Sequence, residues 1–385
     1  MLCEAGGKAE LTKIAEKYTK DTGRAVTFVE LPYDGLFNRL STELSSGAVS
    51  FDVAALDAIW LSTFASALRP LDALFTPAVR DDLFPSLVAD AQIGGKFVGM
   101  PVWTNVEILF YRKDLFDNDK EKAAFRARYG YPLAPPSTWK QFQDTAEFFT
   151  RDGVLYGTEV KGAVETEWLA HVLQAGSPGV VLDQGGAVII DNQQHLDALK
   201  FYAGLVSASP PGAAQLDWAG AQNLFNQGKT AMLRFWAHQY PLIPADAPIH
   251  GKVGVAPMVA GSAGVGGVPG PWFLSVPTAS TQGDAATDFV RFAYDNNALA
   301  IESELGLAAR RSAFEQYSAK PGYEHFAPLL TTLSAPATKG RPAHPKWQQI
   351  VDDVLVPLLQ KSVVPGADHA ALLAGARKDV ESLVR

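Results

Sequence analysis

The stretch from Met100 to Phe116 constrains this chain most. It opens with Met100-Pro101-Val102-Trp103-Thr104-Asn105 and runs into Val106-Glu107-Ile108-Leu109-Phe110-Tyr111. The second part is short, branched and aromatic, and reads as a strand buried on both faces. The tip before it offers an indole, a hydroxyl and an amide, a mix that suits a small polar ligand with one apolar face. The strand then feeds Arg112 to Phe116 and a new block of sequence. It reads as a crossing between two lobes, with a ligand held at its start.

Length agrees with two lobes, since 385 residues exceed what one small core organises. The 47% hydrophobic and 19% charged content is that of a folded globular chain. No apolar run approaches the roughly 20 residues that span a bilayer. Lys and Arg number 33 against 41 Asp and Glu, a formal charge of −8, with no dense basic block. That balance disfavours a nucleic-acid partner, which needs clustered positive charge. Cys3 is the single cysteine, so an internal disulfide and a Cys-based zinc site are excluded. It reads as a small buried residue on the first strand. No secretory leader is visible in this sequence.

Along the first hundred residues, helix-period and strand-like segments follow one another. Leu2 and Cys3 end a first strand, and Leu11, Ile14, Ala15 and Tyr18 recur at helical spacing. Ala25 to Leu31 reads as a strand, and Leu36, Leu40 and Leu44 share a helix face with Asp34 placed to cap it. Ser50 to Asp57 reads as a third strand, which puts Asp57 at a carboxyl end, where ligands sit in open α/β sheets. Farther on, Pro135-Pro136-Ser137-Thr138 stops one segment and caps the next helix. Helices are expected from Trp168 to Gly176, Asp191 to Leu205, Ala285 to Tyr294 and Ile350 to Leu359.

Several short blocks, in this order, resemble one family: the extracellular solute-binding proteins of ABC importers, in the sugar-binding branch that includes maltose-binding protein. They are Phe51-Asp52-Val53, Leu68-Arg69-Pro70-Leu71-Asp72, Gly94-Gly95-Lys96-Phe97-Val98-Gly99-Met100-Pro101, Pro135-Pro136-Ser137-Thr138-Trp139, Phe225-Asn226-Gln227-Gly228-Lys229-Thr230-Ala231-Met232 and Val253-Gly254-Val255-Ala256-Pro257. Arg112 stands where relatives usually have Asn, and Ala308 where they often have Pro. The resemblance implies an α/β fold of the periplasmic-binding-protein type. Its two α/β lobes would be joined by a multi-strand hinge, with a ligand cleft between them. By that resemblance residues 1–110 and 270–315 form the N-terminal lobe, and 111–269 with 316–385 the C-terminal lobe. It further implies reversible capture of a sugar, sugar alcohol or sugar derivative by hinge closure. Delivery to membrane permease subunits, a periplasmic or extracellular location and a monomeric state go with it. No cofactor, metal or catalytic residue is expected.

Trp60, Trp103, Trp236 and Trp272 each sit at an element end, where an indole can stack on the C–H face of a sugar or fill the core. Relatives place sugar-facing aromatics at the last two. Glu4, Asp57, Asn105 and Glu165 are the candidate hydrogen-bond partners for hydroxyls. Asp57 could equally cap a helix, and Asn105 falls where relatives have a sugar-binding Glu. Glu107 would share the Asn105 face in a strand. Tyr33 follows a strand end. Arg310, beside Arg311, is expected to aim its guanidinium at the ligand. His171 and His238 read as core or surface histidines. Catalytic signatures are missing: the seven His are scattered, and no H-E-x-x-H, G-x-S-x-G or G-x-G-x-x-G stands in the right setting. The rival readings are a carbohydrate hydrolase with paired carboxylates, or a binder of the same fold for a polyamine, an oxyanion or a metal chelate.

Overall fold

A computed structural model describes residues 1–151, 153–183 and 185–385. It falls into two compact units. One holds Met1–Asn105, Pro269–Phe326 and Ala343–Pro345; the other holds Val106–Val268, Ala327–Pro342 and Lys346–Arg385. The chain therefore changes unit between Asn105 and Val106, ahead of the strand rather than at its end near residue 110. Residues 316–326 lie in the first unit, whereas the resemblance put the boundary at 315.

Eight strands build the larger sheets of the described residues: β1 (Leu2–Glu4), β2 (Val29–Leu31), β3 (Ala54–Asp57), β4 (Met100–Trp103), β5 (Glu107–Arg112), β6 (Met232–Trp236), β7 (Val253–Ala256) and β8 (Trp272–Ser275). The first unit's sheet has the order β2-β1-β3-β8-β4. β1 pairs in parallel with β2 and β3, while β8 runs antiparallel to both β3 and β4. Parallel neighbours need a crossover, supplied by the helices Gly7–Thr22 and Tyr33–Ser46. Their apolar stripes, Leu11, Ile14, Leu36 and Leu40, are completely buried. Cys3 is also fully buried on β1.

Two local expectations need correction. The second strand is Val29–Leu31 rather than Ala25–Leu31, because β1 offers only Leu2–Glu4 to pair with. The second helix begins at Tyr33 with Pro32 in the cap position, so Asp34 lies in its first turn. There its charge faces the helix's positive end instead of capping it.

In the second unit β5 is the centre of a three-stranded antiparallel sheet, β6-β5-β7. Its residues Ile108, Leu109 and Phe110 are wholly buried, as a two-faced core strand requires. Thr138 caps the helix Trp139–Phe149 by accepting from Gln141 N. The helices Thr166–Gln174 and Gln193–Gly204 follow close to the expected spans. The helix expected at Ile350–Leu359 is continuous with its neighbours but widened to π geometry over Val351–Leu355. Pro357, just beyond, has no N–H to give the regular ladder. No helix of the described residues is long and apolar enough to cross a membrane.

Candidate functional site

The first unit gathers its candidates at one edge of the sheet. Glu4 ends β1, Asp57 ends β3 and Trp103 ends β4, while Tyr33 lies just past β2. Trp272 opens β8, but β8 runs the opposite way, so its first residue reaches the same edge. There it pairs with Asp57 on one side and Trp103 on the other. The carboxyl edge of the parallel strands is thus lined with indoles, as the fold rule for α/β sheets anticipates.

These rings touch. Trp272 stacks on Trp103 at 5.8 Å and meets Trp60 edge-on at 5.6 Å. Tyr33 lies 4.5 Å from Trp60 and 6.2 Å from Trp272. Ring pairs at these spacings are worth about 0.5–1.5 kcal/mol each beyond area burial. Trp60, Trp103 and Trp272 are buried, at 3%, 6% and 9% exposure, as the core-filling reading of the indoles requires.

The two carboxylates of this edge differ. Asp57 Oδ1 accepts from Ile59 N at 3.2 Å and caps the helix Ala58–Phe64, while Oδ2 accepts from the Tyr33 hydroxyl at 3.0 Å. The capping reading of Asp57 is therefore realised, and in addition Asp57 orients Tyr33. The Glu4 residue is half-buried, and its carboxyl group has no hydrogen bond or ion pair within the described residues. Burial, and then the nearby Asp57 charge, push its carboxyl up to about 7.

Asn105 lies two residues past Trp103 and is buried; its backbone carbonyl accepts from Gly270 N at 2.9 Å. Arg310 is spent elsewhere. Its Nε donates to Asp82 at 2.7 Å, its Nη1 to the Asp295 carbonyl at 3.0 Å, and it lies over the Tyr294 ring at 5.0 Å. Contrary to expectation, this guanidinium ties two helices of the first unit together. None of the rings beneath it belongs to the indole wall.

The second unit carries a separate aromatic face. Trp236 ends β6, and Trp218 opens the helix Trp218–Asn226, with the two rings 5.4 Å apart. Asp217 fixes the helix start by accepting from Gly220 N at 2.8 Å. Trp218 was not among the sequence candidates. The signal was present: the helix leads out and β6 leads straight back, so the first residue of one must meet the last residue of the other. Glu165 stands at the start of the helix Thr166–Gln174 without capping it.

Behind Trp236 the interior is charged. Glu107 sits directly opposite Trp236 in the β5–β6 ladder and is buried, with Oε1 accepting from the Thr166 hydroxyl at 2.9 Å. It points into the core of the unit, among Lys161, Glu167 and Arg234. His171 belongs to this interior, and burial and Arg234 hold its pKa well below the ordinary value. Burial likewise lowers His238 to about 4. Both histidines are neutral at physiological pH. No cluster of three or more His, Cys, Asp or Glu able to hold a metal ion occurs among the described residues.

A family model described as bacterial extracellular solute-binding protein matches residues 4–299. Among curated relatives, a probable ABC transporter-binding protein of Deinococcus radiodurans is 28% identical over 312 residues, covering 75% of this chain and 70% of that protein. A mannitol-binding protein of Pseudomonas aeruginosa is 25% identical over 299 residues, covering 74% of this chain and 64% of its own length. The chain thus spans slightly less than two thirds of that relative. Among solved structures, maltose-bound MalE3 of T. maritima superposes with a TM-score of 0.78 at 23% identity, over 100% of this chain and 99% of that one.

Proposed function

The chain belongs to the bacterial extracellular solute-binding proteins, and from that premise we propose that it reversibly captures a sugar or sugar alcohol and hands it to the permease of an ABC importer. The observation that carries the reading is the sheet edge of the first unit. Three indoles and a tyrosine stand beside a half-buried carboxylate, Glu4, with no protein donor of its own. Indole faces suit the C–H face of a polyol. A carboxylate accepts from two neighbouring hydroxyls, in bonds roughly twice as strong as neutral ones. Trp236 and Trp218 give the second unit a like surface.

The relative named for mannitol and the structure holding maltose support hydroxyl-rich cargo over a polyamine, oxyanion or metal chelate. Glu4 and Asp57 also weigh against an anionic cargo at the first unit's edge, since burial and then the Asp57 charge already disfavour ionised Glu4. Capture and release need no covalent step, so no catalytic residue is part of the proposal. A periplasmic or extracellular site of action follows from the same reading.

The test is calorimetry with the whole chain against neutral sugars, polyols and sugar acids. At least one neutral member is expected to bind and to be recovered unchanged, with sugar acids weaker. A panel in which only polyamines or oxyanions bind, or in which the sugar is turned over, removes the proposal.

A further inference from the structure

Five formally charged side chains lie together inside the second unit. Glu107, Glu159, Lys161, Glu167 and Arg234 are each 2% exposed or less. Glu167 is the hub: it ion-pairs with both Lys161 and Arg234. Lys161 Nζ also lies 3.7 Å from Glu159 Oε1 and donates to the Arg234 carbonyl at 2.8 Å. Arg234 Nη2 donates to the Glu159 carbonyl at 2.9 Å, and its guanidinium covers the Phe142 ring at 4.7 Å.

His171 adds no charge. Its Nε2 lies 2.8 Å from Arg234 Nη1, and a guanidinium can only donate, so this nitrogen accepts. The ring proton is then on Nδ1, 3.1 Å from Gln174 Oε1. Tyr202, the remaining titratable neighbour, is buried and raised well above its ordinary value, first by burial and then by Glu167.

Three carboxyls therefore face two cations in a dry interior. An uncompensated buried charge costs several kcal/mol, and the lower-energy state is to keep a proton. The ion pairs say where. Glu167 takes both cations at close range, and Glu107 takes the Thr166 hydroxyl on one oxygen. Glu159 has no hydrogen bond on either carboxyl oxygen and only the looser 3.7 Å pair to Lys161. In line with this, burial raises Glu159 to about 8 despite Lys161 and Arg234, and raises Glu107 as well.

The cluster also underlies the second aromatic face. Lys161 Nζ lies 5.4 Å from the Trp218 ring, Arg234 precedes Trp236 by two residues on β6, and Glu107 faces Trp236 across the ladder. Thr166, held by Glu107, follows Glu165 directly. We propose that this cluster is a proton-holding base for the Trp218–Trp236 pair: it keeps one proton at neutral pH, chiefly on Glu159, and its loss as pH rises loosens the pair. Glu159 and Glu107 are positioning residues in this scheme. The consequence for affinity rests on the reading of Trp236 as a ligand face; the proton itself does not.

The experiment needs no ligand, so its failure is distinct from failure of the proposed function. Infrared difference spectra of the whole chain are taken as pH is raised from about 6 to 9, the window around a raised carboxyl. The measurements are made on the Glu4→Gln chain, which removes a raised acid outside the cluster. A carboxylic-acid C=O band is expected to persist there, to convert to carboxylate over the window, and to be largely lost when Glu159→Gln is added. Tryptophan emission is expected to shift over the same window in the Glu4→Gln chain but not when Glu159→Gln or Trp236→Phe is added. If Glu159→Gln fails to fold, the Glu4→Gln chain alone decides: no acid band at neutral pH overturns the proposal. In the Glu4→Gln background, a band that survives both Glu159→Gln and Glu107→Gln overturns it too, as does an emission shift unchanged by Glu159→Gln.

Discussion

Glu4 and Asp57 stand at neighbouring strand ends with opposite circumstances, and two residue-scale expectations follow. Asp57 has its donors already, from Ile59 N and Tyr33. Glu4 has none in the described residues and titrates near neutrality. A hydroxyl ligand supplies donors to Glu4, and these favour the ionised form. Affinity for the sugar or polyol returned by calorimetry should therefore rise as pH climbs through about 7. Glu4→Gln should flatten that profile and weaken binding by about 1.5–3 kcal/mol at high pH, the scale of a hydrogen bond to a charged group. A profile identical in parent and variant would place the ligand elsewhere. Trp236→Ala and Trp218→Ala should each weaken binding by more than about 1 kcal/mol. Their effects should be non-additive, because the rings touch. Arg310→Lys should leave affinity unchanged and lower stability, since its fork holds Asp82 and backbone carbonyls. At this scale chain order revealed which residues reach strand ends. It did not reveal that Arg310 is consumed by Asp82, a partner more than two hundred residues away.

Elements in this fold are positioned by close backbone approaches, and glycine marks where. A Cβ on Gly157 would stand 1.8 Å from the Ala146 carbonyl oxygen, in the helix Trp139–Phe149. Backbone cannot swing aside, so Gly157→Ala should cost at least about 2 kcal/mol. A Cβ on Gly254 would stand 2.3 Å from the Tyr111 ring, across the β5–β7 ladder. That ring already packs on Phe116 at 5.0 Å, so Gly254→Ala should cost about 1–3 kcal/mol. Urea unfolding midpoints measure both, and parent-like midpoints would mean these approaches are looser than drawn. Gly254 lies in a block that was legible as a motif, Val253-Gly254-Val255-Ala256-Pro257. The element order was legible for a related reason: caps, prolines and helical periodicity are local signals. Strand lengths were not. How far β2 extends depends on what β1 offers it, and the charge inside the second unit is gathered from β5, β6, the helix Thr166–Gln174 and the loop before it, which chain order does not bring together.

For the molecule as a whole, buried ionisable groups set how stability depends on pH. Glu159 and Glu4 have folded pKa values near 8 and 7 against a usual 4.5, with burial the first cause in each. The folded chain then binds more protons than the unfolded chain between those limits, so these groups make stability fall as pH rises through that window. His171, His195 and His238 act the other way. Burial lowers all three, the last two to about 4, so the folded chain binds fewer protons below 6.5 and gains stability as pH rises to that value. The lowered α-amino group of Met1 also favours higher pH. Above about 7 the histidines are largely neutral in both states and the raised carboxyls, Glu107 among them, dominate. The melting temperature should therefore decline from about pH 7 toward pH 8. Glu159→Gln, which cannot ionise, should remove most of the decline that Glu4→Gln leaves behind. Calorimetric scans of the parent and the two variants across that range make the comparison. A parent whose stability keeps rising to pH 8 would mean that Glu159 ionises inside the folded chain at no cost, and that Lys161 and Arg234 can satisfy three carboxylates at once.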